Sequence, residues 1–185
     1  LESGPTQHPK VREAIAKAVD RKQVVQHILK RGDEVATSMF PGALKDLVGY
    51  APPEGIEFSP SEAKAALKAA NIPEDDLKTL GILYNSHDIN QQIAESLQSS
   101  LQEHLGLKVG LENVEWKTFL NRMNERKYTI ARFSLCGLED PLDWAEIFKT
   151  GGGVNWAGYS NETYDARLAV ARAANTLEAQ LQLAQ

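Results

Sequence analysis

Three carboxylates stand close together late in the chain and are well suited to recognising a charged ligand group. Glu139 and Asp140 precede Pro141, and Asp143 follows it. A carboxylate cluster after a strand can hold a cationic group through charge-assisted hydrogen bonds. Carboxylates in the first turn of a helix are also favoured by the helix dipole. The pattern leaves two roles open: a ligand contact, or the start of a helix at Pro141.

The three tryptophans leave a similar pair of roles open. Trp116, Trp144 and Trp156 could form the wall of an apolar ligand pocket, because indole rings offer a large apolar surface with one polar atom. Tryptophans are more often part of a hydrophobic core.

Nucleophilic, metal and phosphate chemistry are disfavoured by spacing. Ser86, His87 and Asp88 are consecutive, whereas a catalytic triad needs groups that converge from separated positions; we interpret them as a strand exit followed by a helix cap at Asp88. The four histidines form no metal-binding helical pair, and the single cysteine, Cys136, excludes an internal disulfide. The glycines at 151–153 lack the remainder of a phosphate loop and indicate a hinge or surface turn. We expect no metal and no cofactor.

The elements that position these residues alternate between strands and helices. Apolar patterns predict strands at 80–84, 109–114 and 128–135. Between them the sequence predicts a helix from Asp88 to a left-handed stop at Gly106, and a short helix over 116–123. This alternation predicts an α/β fold, a central mixed sheet flanked by helices, with ligands gathering at the strand ends.

Further helices are predicted on both sides of this region. The apolar spacing indicates helices over 11–19, over 20–32 with Asp20 as the cap and Gly32 as the stop, and from Ser59-Pro60 onward. A long ordered loop is expected over 33–58, because prolines and glycines interrupt any period there. Later helices are expected over 141–148 and 164–174, with Asn161 as a plausible cap for the second.

Composition is typical of a soluble globular protein and argues against two kinds of partner. Apolar residues make up 42% of the chain and charged residues 24%. The formal net charge is -5, and lysines and arginines are scattered among carboxylates. Nucleic-acid and membrane-surface binding need clustered basic residues, so both are disfavoured.

Several segments, in a fixed order, together resemble one known family. The matching segments are Pro9–Ile15 with Ala18–Arg21, Ser61–Lys64, Leu111–Leu120 (LENVEWKTFL), Tyr128–Pro141 ending in Asp140-Pro141, and Asn155 with Gly158–Asn161 and Tyr164-Asp165. They resemble the extracytoplasmic solute-binding proteins of oligopeptide and dipeptide ABC importers, family 5. The resemblance spans nearly the whole chain.

The resemblance implies a binding role and a location outside the cytoplasm. In this family two lobes close over a ligand, which a membrane-embedded, ATP-driven permease then receives. The chain resembles the C-terminal ligand-binding lobe: a single domain over 1–185, expected to be truncated at its C-terminus and to lack the partner lobe. A signal peptide or lipid anchor would direct the full-length protein to the periplasm or cell exterior.

The resemblance also implies a set of ligand contacts, taken position by position. It places the following residues on the cleft wall: Trp116, Arg132, Leu135, Cys136, Gly137, Leu138, Glu139 and Asp140, with Asn155 and Trp156 near them. One position departs from the family pattern. Members that hold a peptide's free amine commonly carry an aspartate four residues before the matched proline, where this chain has Gly137. Glu139 or Asp140 would have to substitute, and family members that bind sugars or metal chelates exist.

Three functions therefore remain open. The first is reversible capture of a short peptide or similar solute, with Trp116 as an apolar wall and Arg132 as a charged contact or strut. The second is a hydrolase that uses paired carboxylates, for which the sequence offers no recognisable partner base. The third is an interaction domain with the same fold, which an exposed apolar patch would favour. We predict the first and expect no enzymatic activity.

Overall fold

A computed structural model describes residues 4–38, 40, 42, 51–136, 140–177 and 179–180. The chain divides into two compact units. Unit 1 comprises residues 1–35 and 56–133, and unit 2 comprises residues 36–55 and 134–185. The single domain expected from the sequence stays a prediction, and each unit is described separately below.

A small parallel sheet forms the centre of unit 1. Its strands are β1 (Gly81–Asn85), β2 (Gly110–Val114) and β3 (Ile130–Ala131), in the order β2-β1-β3. Both pairs are parallel, with Leu83 opposite Glu112 on one side and Ala131 on the other. The α/β fold is confirmed, but the described strands are all parallel where a mixed sheet was expected. Crossover helices explain the difference, because each returns the chain to the same end of the sheet before the next strand.

Helices surround the sheet of unit 1. The two crossovers are the long helix between β1 and β2 and the short helix between β2 and β3. In chain order the helices of unit 1 are α1 (Pro9–Ala18), α2 (Arg21–Gln23, continuing as a π-helix over Val24–Leu29), α3 (Pro60–Ala70), α4 (Glu74–Leu77), α5 (Asp88–Leu105) and α6 (Trp116–Asn124).

The core of unit 1 combines small helix residues with large strand residues. Ala18 of α1 and Ala63 of α3 are fully buried and pack in the same cluster as Ile82 and Tyr84 of β1 and Leu101 of α5. Alanine lets helix backbones approach the sheet closely, so the larger strand side chains fill the remaining space. This packing holds β1 as the central, covered strand that its apolar sequence predicts.

Three boundaries in unit 1 differ from the prediction. The second helix ends at Leu29, followed by Lys30 in a left-handed conformation (φ 52), and does not continue to a stop at Gly32. Helix α5 begins at Asp88 with His87 in the N-cap position, so the predicted cap at Asp88 is wrong; its carboxylate lies in the first turn, where the helix dipole favours it. Strand β3 has two paired residues instead of eight, because after Arg132 the chain leaves the sheet. Asp20 and Gly106 perform the capping and stop roles predicted for them.

Among the described residues of unit 2, helix α7 spans Pro141–Glu146 and helix α8 spans Glu162–Ala173. Both predicted helices exist, with ends shifted by about two residues. The side-chain oxygen of Asn161 accepts from the Tyr164 backbone N–H at 2.9 Å, as expected of a cap. Phe40, Ala145 and Leu168 form a buried cluster, and Trp144 packs against it, which confirms the core role for this tryptophan.

None of the helices in the described residues is both long and apolar enough to cross a bilayer.

Candidate functional site

The parallel pairing of the strands places all three carboxyl ends at one edge of the sheet. From central β1 the chain passes to β2 on one side, and from β2 it crosses to β3 on the other. In parallel α/β sheets, ligands bind outside the carboxyl ends of the strands. We call this region the carboxyl edge. It is defined by the residues that end or follow the strands: Asn85 of β1, Trp116 after β2 and Arg132 after β3.

Arg132 brings a cation to the carboxyl edge. Its backbone N–H donates to the Leu83 carbonyl at 2.8 Å, which anchors it beside β1. The side chain is half-buried, and burial lowers the pKa of the Arg132 guanidinium, an effect that the like charge of Arg31 reinforces. Within the described part of the chain no carboxylate pairs with this guanidinium. A half-buried cation of this kind favours an anionic or carbonyl partner.

Trp116 brings an aromatic surface to the same edge. Its indole stacks on the Phe119 ring with centroids 5.7 Å apart, and Phe119 stacks on Phe133 at 6.1 Å. Phe119 is fully buried, whereas Trp116 is 48% exposed. Glu115 fixes the start of the helix, since its carboxylate accepts from the Lys117 N–H. The buried ring therefore holds the exposed one in place.

A polar network at the ends of β1 and β2 was not anticipated from the sequence. The Ser86 hydroxyl donates to Asn113 Oδ1 and to the Val114 carbonyl. The buried Asn90 amide donates to the backbone and side-chain oxygens of Asn85. Ser86 is thus bonded across two strand ends, in agreement with a strand exit. The sequence did contain one signal for this network, the polar residue Asn85 at the end of an apolar strand. Which residues surround Asn85 depends on the order of the strands, which the sequence pattern does not give.

In unit 2, Asp140 has a defined local role. Its Oδ1 accepts from the Leu142 N–H at 2.8 Å, so it is the N-cap of α7. Its other oxygen pairs with Arg172, whose guanidinium also binds Asp143 and, at 2.8 Å, Glu146. Burial lowers the pKa of Arg172, but the hydrogen bonds with these three carboxylates outweigh burial and raise it. The helix-start role considered for Asp140 is confirmed, and its ligand contact stays a prediction.

Asn155 organises the glycine-rich loop of unit 2. Its Nδ2 donates to the carbonyls of Lys149 at 3.0 Å and Tyr159 at 2.7 Å, and its Oδ1 accepts from the Tyr159 N–H at 3.0 Å. The side chain is buried. Gly151 turns the loop in a left-handed conformation (φ 73), so the surface turn predicted here is present. Every polar atom of the Asn155 side chain is therefore engaged by the loop.

The remaining predicted contacts also belong to unit 2. Leu135 and Trp156 are half-buried, and Cys136 is exposed with a free thiol. Gly137, Leu138 and Glu139 lie outside the described residues. Trp116 and Arg132 belong to unit 1. The ligand-contact role of all these residues stays a prediction.

Comparison with known proteins identifies the family. The family model described as bacterial extracellular solute-binding proteins, family 5, middle region, matches residues 1–155. The chain belongs to this family. The resemblance noted in the sequence is therefore confirmed.

Individual members of family 5 are similar along almost the whole chain. The periplasmic murein peptide-binding protein MppA of Escherichia coli (strain K12) is 30% identical over 187 residues, covering 96% of this chain and 34% of that protein. The periplasmic oligopeptide-binding protein OppA of Salmonella typhimurium is 30% identical over 173 residues, covering 91% of this chain and 32% of that protein. The unliganded open form of MppA superposes with a TM-score of 0.86 at 28% identity, covering 99% of this chain and 37% of that one. The chain thus spans about a third of the length of these relatives.

Proposed function

We propose that this chain is part of the substrate-binding component of an ABC importer, which captures short peptides outside the cytoplasmic membrane and passes them to a membrane-embedded permease. Membership of the solute-binding family supports this role. The observation that carries it is the carboxyl edge, where Trp116 follows β2 and Arg132 follows β3, on either side of the central strand β1. A charged donor and an aromatic surface at the same sheet edge suit a ligand that carries both carbonyl oxygens and apolar side chains.

The chemistry of an extended peptide fits such an edge. Fixed donors can satisfy main-chain oxygens, which are the same in every peptide, while side chains occupy roomy, partly hydrated space. Affinity then depends little on peptide sequence. The family resemblance separately implies ligand contacts at Leu135, Cys136, Gly137, Leu138, Glu139, Asp140, Asn155 and Trp156.

Capture requires no bond to be made or broken, and we propose that the chain has no enzymatic activity. The carboxylates Asp140, Asp143 and Glu146 are held by one guanidinium, and the Ser86 hydroxyl is bonded to strand-end oxygens. Neither arrangement provides the nucleophile and adjacent base that hydrolysis needs. In a two-lobed receptor, ligand contacts on both lobes stabilise the closed form by hinge motion.

A second candidate is a family member with a non-peptide solute, such as a sugar or metal chelate. One observation favours it. The position expected to carry an amine-binding aspartate is Gly137, and the nearby Asp140 is already bonded to Arg172 and to the start of α7. A peptide's free amine would then need a different partner.

Analysis of co-purified ligand tests the proposal. The protein is expressed from its full natural coding sequence, purified without denaturation, and its ligand is released and analysed by mass spectrometry. Short peptides of mixed sequence in roughly equimolar amount are the expected result. A single sugar or chelate would support the second candidate. Cleavage products after incubation with a peptide library would overturn the non-enzymatic assignment.

A further inference from the structure

We propose that Asn90 is a positioning residue that turns the Asn85 side-chain amide so that its NH2 group is presented at the carboxyl edge. The ligand group received there is then a hydrogen-bond acceptor, a carbonyl or carboxylate oxygen. This inference rests on the proposed function, because it specifies the chemistry of the same edge.

Two hydrogen bonds establish the orientation of both amides. Asn90 Nδ2 lies 3.2 Å from the Asn85 backbone oxygen and 2.9 Å from Asn85 Oδ1. A backbone carbonyl can only accept, so the Asn90 atom facing it must be the NH2 group. The Asn85 side-chain atom that meets the same NH2 group must therefore be its oxygen. The Asn85 NH2 group consequently faces away from Asn90.

Burial of Asn90 makes the alternative orientation of its amide energetically unfavourable. Asn90 is 4% exposed, and rotating its amide would leave a buried NH2 group without these acceptors and bring two oxygens together, which is costly in a low-dielectric site. Asn85 is the last residue of β1 and is half-buried. In the part of the chain that the structure describes, the Asn85 NH2 group donates to no other group.

The neighbouring end of β3 also presents hydrogen-bond donors. Arg132 follows β3, offers only donors, and has no carboxylate partner among residues 4–38, 40, 42, 51–136, 140–177 and 179–180. The adjacent ends of β1 and β3 thus present unpaired donors within the described residues. A ligand oxygen satisfies such donors, whereas a ligand amine would add a third donor to them.

Two substitutions test the orientation in opposite ways. In Asn85→Asp the bond from Asn90 is retained, but the outward atom becomes an anionic acceptor. In Asn90→Asp the new carboxylate can only accept, so the Asn85 amide rotates, its NH2 group turns inward and its oxygen faces the edge. Asn71→Asp, at the end of α3, introduces the same charge on an exposed position away from the sheet and serves as the control.

Side-chain amide exchange, measured by ¹⁵N NMR without ligand, tests the positioning role. In the unsubstituted protein the Asn85 NH2 protons exchange freely and the Asn90 protons are protected. In Asn90→Asp the Asn85 protons become protected. Protected Asn85 protons in the unsubstituted protein, or unchanged exchange in Asn90→Asp, would overturn the proposal.

Calorimetric titration with trialanine, using protein expressed from its full natural coding sequence, tests the acceptor. Both edge variants should weaken binding by roughly tenfold, although residue 90 does not contact the ligand, and Asn71→Asp should leave binding unchanged. Trialanine amide removes the terminal charge but keeps a carbonyl oxygen there: the tenfold effect persists in full if a neutral carbonyl is bound and becomes smaller if the charged terminal carboxylate is bound. Lowered stability of Asn90→Asp with undiminished affinity would assign Asn90 a purely structural role and overturn the proposal.

The two measurements also separate this proposal from the proposed function. If the unsubstituted protein binds no trialanine, the proposal of peptide capture fails, while the exchange measurement still tests the positioning role of Asn90.

Discussion

The carboxyl edge of unit 1 and the loop and helix start of unit 2 contain similar polar residues in opposite states. At the edge, Asn85 retains an NH2 group and Arg132 a guanidinium without a partner in the described ranges. In unit 2, Asp140 is bonded through both carboxylate oxygens, and Asn155 makes three hydrogen bonds to its own loop. Residue type alone does not distinguish the edge residues from the unit 2 residues. They differ in whether the side chain still has a hydrogen-bonding group without a partner among the described residues.

The difference has an energetic meaning. A polar group left partly buried without a partner costs about 1–3 kcal/mol, and a binding protein recovers that cost when ligand arrives. A fully bonded group contributes to folding instead. We therefore expect substitutions at the edge to change affinity and substitutions at the unit 2 residues to change stability.

The largest effect is expected at Arg132. Replacing Arg132 with alanine should weaken trialanine binding by about a hundredfold, because a charge-assisted hydrogen bond in a half-buried site contributes about 2–3 kcal/mol. Calorimetric titration measures the affinity, and urea unfolding should show little change. Arg167→Ala, an exposed arginine of α8, is the matched control. An equal loss in both variants would remove the distinction between the two regions.

At Asn155 a smaller effect is expected, and on the stability of the fold instead of on ligand affinity. Asn155→Ala removes three hydrogen bonds from a buried position and should lower the free energy of unfolding by about 2 kcal/mol. Urea denaturation measures the loss. Trialanine affinity, determined where both proteins are fully folded, should be unaltered. A drop in affinity without a drop in stability would instead support the ligand contact that the family resemblance implies for Asn155.

Substitution of Arg172 should lower the free energy of unfolding by the next largest amount. Arg172→Ala leaves three carboxylates close together without their cation, and we expect a loss of about 1–2 kcal/mol at low ionic strength. Added salt should reduce the loss because it screens the exposed carboxylates. Arg172→Lys should restore only part of it, since an ammonium cannot satisfy three carboxylates as the planar guanidinium does. Salt-independent destabilisation would show that packing, and not charge, is what Arg172 provides.

The smallest effect is the acid response of Asp165. Hydrogen bonds from the Thr150 side chain and from its backbone N–H, the latter at 3.0 Å, hold the pKa of the Asp165 carboxyl below its ordinary value. A lowered pKa means that the contact stabilises the fold above the ordinary value of about 4 and is lost as pH falls through the folded-state value. Carboxyl NMR titration should give a midpoint below that of an unstructured peptide. Thr150→Val, with the hydroxyl removed, should raise the midpoint, and an unchanged midpoint would contradict the assignment.

Local signals along the chain were enough to predict most of the elements. Asp20 and Asn161 accept the backbone N–H groups expected of helix caps, Gly106 supplies a left-handed stop, and the apolar stretch at β1 becomes the covered central strand. These predictions succeed because capping and periodicity depend on residues a few positions apart. The family resemblance likewise rests on ordered local segments, and the comparison with known proteins confirmed it.

Features that depend on distant residues could not be predicted in this way. The strand order β2-β1-β3 and the short β3 arise from pairing between segments far apart in the chain. Asp140 is bonded to Arg172, which lies 32 positions away. Asn85 and Asn90 are close in sequence, but the site they serve exists only once β3 has paired with β1. Periodicity and capping carry no information about which remote groups will meet, so composition and order specified the elements, whereas packing determined which polar atoms remain available to a ligand.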